Sequence, residues 1–160
     1  MIDLSALEGA ERVVVVGVGN DMRGDDAAGL LVVRKLKEKI SSPRLLILEA
    51  GMAPERFISE IESFAPSHVV FVDGADFGGR SGEVVVAGPE DVIGEKISTH
   101  ALPISVLSGY LKMKTGAKVV LVGIQTAHIQ IGGEISRKAA AAIRAVVEEL
   151  LKRLKTLRIA

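Results

Sequence analysis

Five short apolar runs, mostly β-branched, punctuate the chain at Val13–Val16, Leu45–Leu48, Val69–Val72, Val84–Ala87 and Val119–Val122. Apolar on every residue, they read as strands buried on both faces rather than the alternating strands of a half-exposed sheet. Helical spacing fills most of the intervals. Ala28, Val32, Val33, Leu36 and Ile40 share one face of a segment whose other face carries Arg34, Lys35, Lys37 and Glu38. Phe57, Ile58, Ile61 and Phe64 follow Pro54, a favourable first-turn residue, and Ile104, Leu107 and Leu111 follow Pro103 in the same way. A last segment, from about Glu134 to Leu157, lines up Ile135, Ala139, Ala142, Val146, Leu150 and Leu154 in a stripe flanked by Lys and Arg.

The order is therefore β-α-β-α-β, an antiparallel strand at Val84–Ala87, then α-β-α. It predicts one α/β domain over residues 1–160: an open, mostly parallel five-stranded sheet with one antiparallel strand and helices on both faces. Hydrophobic residues make up 48% of the chain, enough at this length for a full core and too many for disorder. Twenty basic residues balance twenty acidic ones, which argues against a nucleic-acid partner. The amino terminus carries acidic residues and no basic start before an apolar run, unlike a signal peptide, and no stretch is long and apolar enough to enter a membrane. A cytoplasmic location and a monomer are expected. The absence of Cys excludes a disulfide framework, a thiolate metal site and a cysteine nucleophile.

In open α/β sheets, ligands bind beyond the carboxyl ends of the strands, so chemistry is sought just after each parallel run. After the first run, Gly17-Val-Gly-Asn-Asp-Met-Arg-Gly-Asp-Asp26 lacks the third glycine of a dinucleotide fingerprint, and no phosphate loop follows. Asp25 and Asp26 read in two ways: as a cap and first-turn charge of the next helix, or with one of them turned into the cleft. Asp73 closes the third run, where it serves as a turn initiator or a site carboxylate. Asp76, three residues on, is expected to brace the glycine-rich loop at Gly78, Gly79 and Gly82. His100 precedes a helix start, as a structural hydrogen-bond donor or a ligand. His68 leads into the third strand, at the wrong end of the sheet for a site, and His128 follows the last strand in a loop. Asp26, Asp73 and His100 come from three loops expected at one edge, and together form an oxygen and nitrogen set suited to zinc, nickel, manganese or ferrous iron.

These residues carry a resemblance. Gly17-Val-Gly-Asn20 with Gly24-Asp-Asp26 and Gly29, Ala53-Pro-Glu55, Val72-Asp73-Gly-Ala-Asp76, Gly82-Glu83, Thr99-His100 with Pro103, and Gly123-Ile-Gln125 occur in order over roughly residues 12 to 150. The chain resembles the maturation endopeptidases of nickel–iron hydrogenases, most closely the branch that processes the large subunit of formate-hydrogenlyase-type enzymes. The resemblance implies a hydrolase that removes a carboxyl-terminal extension from the large-subunit precursor after nickel insertion. Asp26, Asp73 and His100 would be its metal-contacting and catalytic residues. The nickel would be carried by the substrate, and other divalent ions such as zinc or cadmium could occupy the same site. Glu49-Ala-Gly51 departs from the family's usual Asp-Gly-Gly, leaving Glu49 open as a site residue or a loop brace. A nucleotide- or metabolite-binding module, or a nickel chaperone on the same fold, is the alternative.

Overall fold

The computed structural model describes residues 2–89, 98–99 and 104–160. The five expected strands are present, and most extend beyond their apolar runs: β1 Val13–Val18, β2 Leu45–Gly51, β3 His68–Asp76, β4 Val84–Ala87 and β6 Lys118–Gln125. They hydrogen-bond in the order β2-β1-β3-β6-β4. The β1–β2, β1–β3 and β3–β6 pairs are parallel, and β4 runs antiparallel to β6, as the pattern predicts. One element was not expected. A two-residue strand, β5 (Ser98–Thr99), pairs antiparallel with the end of β3 through Ala75↔Thr99 and Asp76↔Ser98. It makes the sheet six-stranded, because β3 outruns β1 and leaves its edge open there.

Strict alternation divides the central strands between two cores. Val13, Val15, Val70, Val72, Val120 and Val122 pack on one face with α1 (Ala28–Lys39) and with the helix Arg137–Thr156. Val14, Val16, Val69, Phe71, Val119 and Leu121 pack on the other with α2 (Ile58–Phe64) and α3 (Ile104–Thr115). Arg137–Thr156 is α4. Its cap is local: the Ser136 hydroxyl accepts a hydrogen bond from the Ala139 amide at 3.2 Å. Among the described residues, no helix is long and apolar enough to cross a membrane.

The chain leaves β1 toward β2 on one side, and leaves β3 toward β4, beyond β6, on the other. Adjacent parallel strands whose connections diverge open a crevice between their carboxyl ends. That crevice lies between the end of β1 and the end of β3.

Phe71 is fully buried at the centre of β3. Phe71→Ala is expected to cost about 3–5 kcal/mol in denaturant unfolding, from lost apolar burial plus the cavity left behind.

Candidate active site

The segment after β1 doubles back against the sheet. The Gly19 amide donates to the Gly51 carbonyl at 2.9 Å, and the Asn20 amide donates to the Asp26 carbonyl at 3.2 Å. Residues Gly24–Ala27 then form one 3-10 turn leading into α1. That turn rests on β3 at Gly74. A β-carbon there would stand 2.7 Å from the Asp25 carbonyl oxygen and 3.5 Å from the Asp26 α-carbon, so only glycine lets the two segments meet. Asp73 is the residue before. The structure thus brings Asp26 and Asp73 into one neighbourhood at the crevice, with Asp26 1% exposed and Asp73 fully buried.

Asp73 does not close its strand as the apolar run suggested. β3 runs on to Asp76, so Asp73 lies inside it, opposite Gly123 of β6. Alternation puts its side chain on the α2 and α3 side of the sheet, and the Asp26 turn rests on the other side of Gly74. His100 lies outside the described residues; its predecessor Thr99 pairs with Ala75, two residues beyond Asp73. Among the described residues, no three metal-capable side chains form a group.

Asp25 corrects the helix-cap reading. α1 starts at Ala28, and its cap position, Ala27, makes no side-chain cap bond. The Asp25 carboxylate, fully buried, turns instead to the far end of the chain. It accepts from the amides of Ala127 (2.8 Å), His128 (3.1 Å) and Ser136 (2.7 Å), and from the Ser136 hydroxyl (2.8 Å). Burial alone would raise its pKa. The Ser136, His128 and Ala127 bonds outweigh that effect and hold it below the ordinary carboxylate value. Local sequence offered no sign of partners a hundred residues away.

Asp76 braces the glycine-rich loop as expected. Its carboxylate accepts from the Gly78 amide at 3.0 Å and the Gln125 side chain at 3.2 Å, which hold its pKa down. The buried Gln125 was not singled out as a brace. Its carbonyl oxygen accepts from the Phe77 and Gly79 amides, both at 3.0 Å, tying the β3–β4 connection to the end of β6. Phe77 packs against the α2 and α3 core, whereas Met22 and Met52 are exposed near the crevice.

Glu49 is a partner of Arg34 on α1. The guanidinium joins Glu49 Oε1 (2.7 Å from Nε) and also clasps Asp21 (3.0 and 2.5 Å), which ties β2 to the loop after β1. The Arg34 hydrogen bonds lower the pKa of Asp21, and both partners raise that of Arg34. His68 opens β3 at the opposite end of the sheet, as predicted. His128 lies in the loop after β6, where its backbone serves Asp25.

The comparisons with known proteins bear on the fold and the family. A family model described as hydrogenase maturation protease matches residues 30–153. The hydrogenase 3 maturation protease of Escherichia coli K12 is 34% identical over 115 residues, spanning 70% of this chain and 71% of that protein. The crystal structure of the [NiFe] hydrogenase maturation protease HycI from Thermococcus kodakarensis superposes with a TM-score of 0.87 at 40% identity, covering 93% of this chain and 96% of the other. The E. coli maturating endopeptidase HybD gives a TM-score of 0.76 at 25% identity, with 91% and 93% coverage. The chain belongs to the hydrogenase maturation protease family and is a peptidase.

Two predictions follow from the local contacts. Gly74→Ala drives a methyl group into the Asp25 carbonyl; the variant is expected to melt at lower temperature and to show backbone NMR shifts concentrated in residues 19–27. The second concerns pH. Burial, with Lys118 nearby, depresses the His68 pKa, so the unfolded chain takes up a proton near pH 6.5 before the folded one does. The stability contributed by the neutral buried ring is complete above about pH 6.5 and declines as pH falls toward the folded value. In urea titrations, His68→Gln is expected to flatten the fall in stability below about pH 6.5.

Proposed function

We propose that the protein is the endopeptidase that removes the carboxyl-terminal extension of a nickel–iron hydrogenase large-subunit precursor after nickel insertion. Substrate-bound nickel would be its recognition signal. The observation that carries this reading is the meeting of the Asp26 turn with β3 beside Asp73, at the crevice, in a chain of this family. Two carboxylates and the His100 imidazole are hard and borderline donors, suited to nickel and equally able to accept zinc or cadmium. Such a set leaves coordination positions for thiolates of the precursor, so that docking on the metal would bring the scissile bond into register.

The hydrolysis needs one base. Asp26 or Asp73 takes a proton from water as its oxygen adds to the scissile carbonyl carbon; the carbon–nitrogen bond then breaks and the proton passes to the leaving amine. Both carboxylates and His100 would hold the metal, and the base would use a carboxylate oxygen that the metal leaves free. The enzyme acts as a monomer in the cytoplasm, and through this cleavage it serves as an activator of the hydrogenase.

Incubation with nickel-loaded and nickel-free precursor, read by mass spectrometry, tests the proposal. Only the loaded precursor should lose its extension. Equal trimming of both would overturn nickel recognition. No trimming, with a thermal shift on adding nucleotides, would favour a binding module, and tight nickel binding without cleavage would favour a chaperone. Asp26→Asn, Asp73→Asn and His100→Ala should each reduce processing by about 100-fold or more while the far-ultraviolet circular dichroism is unchanged.

A further inference from the structure

We propose that Asp25 is a positioning residue: its carboxylate, clasped by the Ala127–Ser136 segment, sets the orientation in which Asp26 is presented to the crevice. The inference rests on the reading of Asp26 as a residue of the active site. Asp25 is held at two points by one loop. Its amide donates to the His128 carbonyl at 2.5 Å, and its carboxylate receives the Ala127 and His128 amides and both donors of Ser136. With the backbone and the side chain of Asp25 both fixed, the peptide leading into Asp26 has little freedom to rotate.

The residues around it tighten the constraint. Gly24 adopts a φ of +58°, and a β-carbon there would stand 2.3 Å from the His128 carbonyl oxygen. The Asp26 amide donates to the Arg23 carbonyl at 3.1 Å, and its carbonyl accepts from Asn20. A residue needed only to start α1 could have capped it from Ala27, where the structure has no side-chain cap. Asp25 instead joins the loop after β1 to the loop after β6 and the start of α4. All four groups on its oxygens are donors. An asparagine of the same size would therefore turn an N–H2 group toward at least one N–H or O–H, and the turn would have to move.

Steady-state processing of nickel-loaded precursor tests this, at a temperature where circular dichroism shows every variant folded. Asp25→Asn is expected to lower kcat by about 100-fold, as for a misplacement on the order of 1 Å, with KM within about twofold. Ser136→Ala, which keeps the amide donor but loses the hydroxyl, should lower kcat by about tenfold, and Ser136→Thr should restore it. Leu150→Ala, a core change in α4, should lower the melting temperature and leave kcat at the wild-type value. Wild-type kcat in folded Asp25→Asn or Ser136→Ala, with Asp26→Asn inactive, would overturn the positioning role. An equal kcat loss in Leu150→Ala would overturn it too, since general destabilisation would then explain the effect. Full activity of Asp26→Asn would instead overturn the assignment of Asp26, and the positioning role with it.

Discussion

A carboxylate removed from water must be met by donors or it unfolds what holds it, and Asp25 is met by four. Much of the crevice depends on that bond set. It draws the loop after β6 and the first turn of α4 onto the loop after β1, so that two connections distant in sequence become one body. It also leaves the neighbouring Asp26 in a short turn pressed against Gly74 of β3. Removing the clasp would loosen the crevice wall without touching the sheet itself.

The sheet supplies the other half of the arrangement. β1 and β3 lie side by side, their connections leave in opposite directions, and β3 continues past the point where β1 stops. The exposed flank of β3 is taken up by β5, which brings the chain at Thr99 alongside Ala75. Three connections thus meet at one strand end, each braced separately: the first by Asp25 and the Arg34 ion pairs, the second by Asp76 and Gln125, the third by pairing with β3.

Most of the fold was legible in the sequence because burial on both faces leaves a continuous apolar run, and amphipathic helices leave a stripe. Strand ends were less legible. β3 extends through Asp73, Gly74 and Ala75 to Asp76, residues whose strand conformation comes from pairing with β6 rather than from propensity. The two-residue β5 carries no periodicity at all. At the crevice, topology was enough to place the loop after β1 beside the end of β3, where the Asp26 turn meets Gly74, because strand order dictates which loops become neighbours. The role of Asp25 was not legible, since a cap and a long-range clasp look the same in local sequence. Glu49 and Gln125 likewise depend on partners, Arg34 and the Phe77–Gly79 amides, that only the fold brings near.

We propose above that Asp26 and Asp73 share one cation. Crystals of the protein soaked with cadmium, with the ion located by its anomalous scattering, test it directly. The account predicts one ion with an oxygen from each of the two carboxylates in its coordination shell, at about 2.2–2.5 Å. A cation bound by only one of them, or by neither, would contradict it.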